Sequence, residues 1–277
     1  MAKAVVIKDI MPLYTEPSAD SELADEVLFG MSVEAEAVYG TNFCRVKTHY
    51  RYEGYAHAGD LYFGENAEIW ESRDKFVCSV RYLDIKDSPE VQAKTQASLP
   101  MGGLAAELPQ PEDTAEGWTC IEMPDGKRGY VRSCCIKRPA PDWRTEDEDS
   151  VRASVIASAM KYTGTQYRWG GKTGLGIDCS GLTSVSYLLN GIIIYRDASI
   201  AEGFEIKEIP FESVKPADLI FFPGHVAMYL GGGEYIHSTG HKDSQGVTIN
   251  SFDPESPLYR ADLAETEKKG GSIFPDC

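Results

Sequence analysis

The chain has no apolar run approaching the roughly 20 residues that a bilayer-spanning helix needs. At its start, "MAKAVVIKDIMPLY", Lys8 and Asp9 interrupt the apolar residues and no small-residue cleavage site follows, so no secretory leader is expected. Positive charge is scarce too. Lys and Arg number 27 against 43 Asp and Glu, a formal net charge of −16, and no basic stripe offsets it. Like charge repels at long range, so neither nucleic acid nor an anionic membrane is the expected partner. There is no disulfide framework: the seven cysteines are odd in number and scattered, and Cys134 and Cys135 are adjacent. A reducing, cytoplasmic location is expected. None of the cysteines has the C-x₂-C spacing of structural zinc, and neither a metal nor a cofactor is expected. Histidine is rare, at five residues, so imidazole chemistry is confined to few places.

With 42% hydrophobic residues in 277, the chain can build two or three modules. An internal repeat organises the first half. "FCRVKTHYRYEGYAHAGDL" (43–61) aligns without a gap on "WTCIEMPDGKRGYVRSCCI" (118–136), setting Phe43 on Trp118, Val46 on Ile121 and Gly54-Tyr55 on Gly129-Tyr130. Apolar and polar residues alternate around a turn in each copy, "PDGK" being a strong hairpin signal in the second. Two small all-β modules are expected, over residues 1–65 and 66–138, with Trp118, Tyr55 and Tyr130 as packing aromatics of their cores. The stretch "KRPAPDWRTEDEDS" then combines prolines with an acidic run and no apolar period, which predicts a linker over 139–150. A helix with Val151, Val155, Ile156 and Ala159 on one side opens a third domain, 151–277.

That domain carries the chemistry. In "YRWGGKTGLGIDCSGLTSVSYLLNG", Asp178 stands at the N-cap of a predicted helix that ends at Asn190-Gly191, so Cys179 lies in the first turn. The positive end of the helix dipole there is expected to favour thiolate. Downstream, "DLIFF", "HVAMYLG" and "EYIHS" read as three antiparallel strands. His225 and His237, twelve residues apart, can then share one sheet face.

The series "YRWGG…DCSGL…ADLIFF…HVAMYLG…YIHS" resembles the NlpC/P60 family of papain-like cysteine peptidases over residues 151–277. The repeated β modules resemble bacterial SH3-like (SH3b) barrels, a combination similar to γ-D-glutamyl-L-diamino-acid endopeptidases. The resemblance implies an α+β fold, a cysteine-bearing helix packed on an antiparallel sheet, preceded by two small all-β barrels. It implies Cys179 as nucleophile, His225 as general acid/base and His237 as the residue orienting it. Tyr167 would lie near the oxyanion position, and Asp178 and Ser180 would hold the N-terminal part of the substrate. From the first barrel, Glu22 and Tyr55 are candidates for a pocket that takes a free amine, with Tyr52 as a rival to Tyr55. The implied reaction is thioester formation at the γ-glutamyl carbonyl, protonation of the leaving amine by His225, and hydrolysis. The implied partners are murein stem peptides with a free N-terminal L-Ala, cleaved by a monomer to release L-Ala-γ-D-Glu during cell-wall peptide recycling.

Two other functions share these residues: a murein-binding adaptor with an inactive third domain, and an acyl-transferring enzyme that uses an amine in place of water. Ala217 in "KPADLIFF" stands where the family more often has Gly, the connection Pro223-Gly224 is short, and "GIIIYRDAS" lacks a proline common before its Arg-Asp pair.

Overall fold

The repeat in the sequence is also a repeat of topology. The computed structural model describes residues 1–112, 114–140 and 142–275; Pro141 of the expected linker, and Asp276 and Cys277, lie outside the described residues. The first copy forms β1 (Ala2–Val6), β2 (Ile10–Tyr14), β3 (Leu23–Leu28), β4 (Ser32–Ala37), β5 (Phe43–Thr48), β6 (Glu53–His57) and β7 (Leu61–Tyr62). After the short helix α1 (Glu65–Ile69), the second forms β8 (Lys75–Cys78), β9 (Tyr82–Lys86), β10 (Thr95–Pro100), β11 (Leu104–Glu107), β12 (Trp118–Glu122), β13 (Arg128–Arg132) and β14 (Ile136–Lys137). The sheet orders are β3-β2-β6-β5-β4-β1-β7 and β10-β9-β13-β12-β11-β8-β14, the same order displaced by one copy.

The two copies hold each other. Phe29 of the first lies in the buried core of the second, with Ile85, Leu99, Ile121 and Val131. Its carbonyl accepts from the Leu104 N–H at 2.8 Å. Next to it, Gly30 has φ +78°, and a Cβ there would stand 2.0 Å from the Leu104 carbonyl oxygen, so only glycine allows this approach. Trp70, fully buried, donates its indole N–H to the Gly30 carbonyl at 2.7 Å. Small cores that are marginal alone are thus joined into one.

The aromatics expected in these cores are elsewhere. Trp118, Tyr55 and Tyr130 are only half-buried, and Arg132 lies over the Trp118 ring. The inward positions of the alternation belong to Val46 and Ile121, both fully buried, and in β6 and β13 to the residues flanking Tyr55 and Tyr130, so these aromatics fall on the outward positions.

By its internal contacts the chain divides into two units, Met1–Pro139 and Ala140–Cys277. In the second, α2 (Glu148–Met160) is capped by Asp147, whose carboxylate accepts from Ser150 N–H. It buries Val151, Val155 and Ala159 but also Arg152, while Ile156 is only half-buried. Arg152 donates to Asp218 at 2.8 Å and to the Pro216 carbonyl at 2.7 Å, which fixes the helix on the turn preceding the sheet. Two short strands, β15 (Lys172–Thr173) and β16 (Gly176–Ile177), lead into α3 (Cys179–Leu188). The sheet consists of β17 (Lys207–Ile209), β18 (Leu219–Phe222), β19 (His225–Gly231), β20 (Glu234–Thr239), β21 (Gly246–Ser251) and, after the short helix α4 (Ala261–Ala264), β22 (Lys269–Ser272). Its order is β17-β22-β18-β19-β20-β21, antiparallel throughout.

Ala217, just before β18, has φ +74°. Its N–H donates to Tyr229 O at 2.8 Å and its carbonyl accepts from Tyr187 Oη at 2.6 Å, so the strained residue is held from both sides. A Cβ in the left-handed region costs about 1–2 kcal/mol, part of which glycine returns through unfolded-chain entropy. Ala217→Gly is therefore expected to stabilise the protein by about 0.5–1 kcal/mol in urea denaturation. A loss of stability would show that the turn is not strained.

Candidate active site

Asp178 caps α3 as its sequence requires: Oδ1 accepts from Gly181 N–H at 2.6 Å, and the backbone is extended at Asp178 before turning helical. Gly181 is needed because a Cβ there would stand 2.1 Å from the Gly171 carbonyl oxygen. The loop is thereby pressed onto the helix start. Cys179, the first helical residue, is 6% exposed, and its N–H has no carbonyl one turn back to meet. Helix α3 packs across β19 and β20.

The two histidines come together through sheet register. Phe222 pairs with His225 across the two-residue turn Pro223-Gly224, and Met228 pairs with Ile236. Extending that register by one residue sets His237 diagonal to His225 on the same face. Their rings meet, with His225 Nε2 2.7 Å from His237 Nδ1. His237 is fully buried, and its Nε2 lies 2.9 Å from Asn250 Oδ1 on β21. The Val226 N–H, next to His225, and the Ser180 N–H hydrogen-bond to the Cys179 sulfur, which brings the sulfur to the histidine strand.

The electrostatics correct one expectation. Burial pushes the Cys179 thiol up from its ordinary value, and the Asp178 carboxylate adds to this; the Val226 and Ser180 N–H groups oppose them without prevailing. Burial likewise lowers His225 to about 4 and His237 to about 3, the neighbouring Arg260 also lowering both. At neutral pH the resting site holds a thiol and two neutral imidazoles rather than a preformed thiolate. The helix dipole is a surface-scale effect of about 1 kcal/mol, and burial outweighs it.

Tyr167 bridges to Ile177 just before the helix, and its hydroxyl is pushed up to about 12 by burial and by the adjoining Cys179 and Asp178. Asp178 and Ser180 are buried. Arg196 donates to Asp178 Oδ1 at 3.1 Å, to Oδ2 at 3.2 Å and to Ser180 Oγ at 2.8 Å, while Gly170 N–H takes Oδ2 at 2.8 Å. The Asp178 charge is thus matched inside the protein, and its oxygens serve the helix start. Tyr167, Asp178, Cys179, Ser180, His225 and His237 share one unit. Glu22 and Tyr55 belong to the other, where Tyr14 pairs with Leu23, next to Glu22, on one side and with Tyr55 on the other. Glu22 is exposed and Tyr55 half-buried. Among the described residues no group of three His, Cys, Asp or Glu side chains is placed to hold a metal ion.

Two participants were not foreseen. Arg196 was legible only as one half of an Arg-Asp pair, and Asn250 had no motif around it. The strand signal of "GVTIN" beside "EYIHS" could have pointed to Asn250, since its polar side chain shares the face of His237.

The sequence profile of the NlpC/P60 family matches residues 164–260, which span this site. The chain is 40% identical over 272 residues to dipeptidyl-peptidase 6 of Lysinibacillus sphaericus, covering 98% of this chain and 99% of that protein. It is 36% identical over 122 residues to the γ-D-glutamyl-L-lysine dipeptidyl-peptidase of Bacillus subtilis strain 168, covering 41% of this chain and 40% of that one. The crystal structure of an NlpC/P60 family protein from Bacillus cereus superposes with a TM-score of 0.77 over 97% of this chain and 98% of that chain at 20% identity, a likeness of fold.

Proposed function

The chain belongs to the NlpC/P60 family, and from that premise we propose that Cys179 is the nucleophile, His225 the general acid/base and His237 its orienting partner. The protein is a cysteine peptidase that acts on murein peptides, at the bond between γ-D-Glu and the diamino acid. The observation that carries the assignment is the histidine pair at 2.7 Å beside a cysteine at a helix start. Cys179 attacks the γ-glutamyl carbonyl as its S–H proton passes to His225. The amine leaves with that proton, and water hydrolyses the thioester. The Cys179 N–H at the helix start, with the Tyr167 hydroxyl, faces the developing oxyanion; losing one such donor costs roughly 3 kcal/mol in comparable enzymes.

The finer reading is that the substrate carries a free N-terminal L-Ala and that L-Ala-γ-D-Glu is released in the cytoplasm during recycling, by a monomer with two SH3b modules. The scattered free cysteines support the reducing location. Glu22 and Tyr55, together with Asp178 and Ser180, are the residues assigned to the N-terminal end of the substrate, the two carboxylates answering the charge of its free amine. The test compares L-Ala-γ-D-Glu-diamino-acid peptide with its N-acetylated form. The free peptide is expected to be cleaved at least about 100-fold faster, the cost of leaving a charged recognition site unpaired. Glu22→Gln should erase much of that preference through KM. Equal rates on the two peptides would remove the free-amine reading, and transfer to added amines in place of hydrolysis would make the enzyme an acyl transferase.

A further inference from the structure

The hydrogen bonds around His237 run in one direction, and their origin is a backbone carbonyl. We propose that Asn250 is a positioning residue that sets the tautomers of both histidines and so leaves the Nδ1 lone pair of His225 as the base for Cys179. The inference rests on the assignment of Cys179 and His225 as nucleophile and base.

Leu258 O can only accept, so the Asn250 group 3.0 Å from it is the amide NH₂. Asn250 Oδ1 is then the atom 2.9 Å from His237 Nε2, and because it too can only accept, His237 Nε2 bears the proton. A neutral imidazole has one N–H. His237 Nδ1 is therefore a lone pair, and His225 Nε2, 2.7 Å away, must be the donor. That leaves His225 Nδ1 bare. Turning the Asn250 amide over would set two acceptors against each other at Leu258, so the Leu258 carbonyl alone fixes its orientation. The anchor is itself clamped: Leu258 O also accepts from Ser251 N–H at 2.9 Å, and Arg260 N–H reaches Ser251 O at 3.2 Å.

The chain works in both protonation states. When the Cys179 S–H bond breaks and the proton moves to His225 Nδ1, the imidazolium keeps its Nε2–H on the His237 lone pair. Asn250 Oδ1 still accepts from His237, so no group rotates during the transfer. The proton then leaves with the departing amine, and the starting tautomer returns.

Charged and titratable groups around His237 are His225 on β19, Tyr235 on β20 with ring centroids 5.2 Å apart, and Arg260 and Asp262 on the segment that follows β21. Cys179 and Asp178 stand at the start of α3, which packs on β19 and β20.

The test uses the full chain with Asn250→Leu and Asn250→Asp, each checked for folding by thermal melting. Long-range ¹H–¹⁵N NMR reads the tautomers without any substrate. The wild type is expected to show Nε2–H at both histidines. In Asn250→Leu the Nε2–H preference at His237 is lost, and kcat falls about 10- to 100-fold with KM within about twofold. Asn250→Asp loses the bond to Leu258 O, where an oxygen now meets an oxygen, but its other oxygen still accepts from His237 Nε2–H and its charge favours imidazolium, so the tautomers are kept and the acid limb of kcat/KM moves up by about one pH unit. Unchanged tautomers in Asn250→Leu, or a kcat within twofold of wild type, would overturn the proposal. If the leucine variant does not fold, the aspartate variant decides, and an unmoved acid limb overturns it. Because the NMR reading needs no turnover, a wrong substrate assignment leaves it intact.

Discussion

Cys179→Ala is expected to lower kcat/KM by about 10⁴-fold or more while leaving the fold in place. In enzymes of this type, removing the nucleophile leaves only the residual rate due to binding and oxyanion donors, and removing the base costs about as much. His225→Ala should therefore fall to a similar floor, and the double variant little further, since the two act as one unit. The alanine at 179 removes one buried sulfur, a destabilisation of about 1 kcal/mol, so loss of activity cannot be charged to unfolding. The neutral resting pair adds a spectroscopic expectation: the thiolate absorbance near 240 nm should be absent at pH 7 and appear only as the elevated thiol titrates. On the acid side, His225 titrates near pH 4, so kcat/KM should hold down to about pH 5 and then fall. Stability follows the same sign. Both histidines have folded values below the unfolded 6.5, so the unfolded chain binds more protons in between. Their contribution is complete above pH 6.5 and is lost as pH drops towards 4 and then 3, at most roughly 3 kcal/mol for His225. Full activity in Cys179→Ala, or a thiolate band at pH 7, would contradict the arrangement.

What could be read in advance divides by range. Asp178 as N-cap, the stop at Asn190-Gly191 and the Pro223-Gly224 turn each depend on a few adjacent residues, and the structure forms them where the sequence set them. The repeat was legible because two copies confirm each other, and both gave the same strand order. Trp118 was misplaced because period-two alternation tells which residues share a face, and the aromatic bulk suggested the wrong one. The state of Cys179 was misjudged for a related reason: a helix N-terminus is visible in sequence, but the burial that overrides it is a property of the folded cleft. Arg196 and Asn250 act across 18 and 13 residues of chain on partners that only tertiary packing supplies. Nothing in a single polar residue announces such a contact. The likeness of motifs supplied what periodicity could not, namely that Cys179, His225 and His237 belong together.

The buried pair of Arg196 and Asp178 carries the second large effect. Side-chain exposures of 2% and 7% leave both charges almost without water, so each is stabilised by the other and by the hydrogen bonds around the pair. Arg196→Met keeps most of the aliphatic volume but strands the carboxylate one residue before Cys179. A cost of about 3–5 kcal/mol in urea denaturation is expected, offset in part by the Gly170 and Gly181 N–H groups that remain on Asp178. Asp178→Asn in the same chain removes the stranded charge, so the double variant should recover about 2 kcal/mol relative to Arg196→Met alone. The consequence for chemistry follows from the shared atom: Asp178 Oδ1 both accepts from Arg196 and caps α3. If the guanidinium is what holds that oxygen in place, Arg196→Met must also lower kcat, and the double variant must regain stability without regaining rate, because an amide caps a helix but does not bind Ser180 through arginine. A loss below 1 kcal/mol in Arg196→Met would mean that water reaches Asp178, and the helix start would then owe its geometry to the glycine contacts alone.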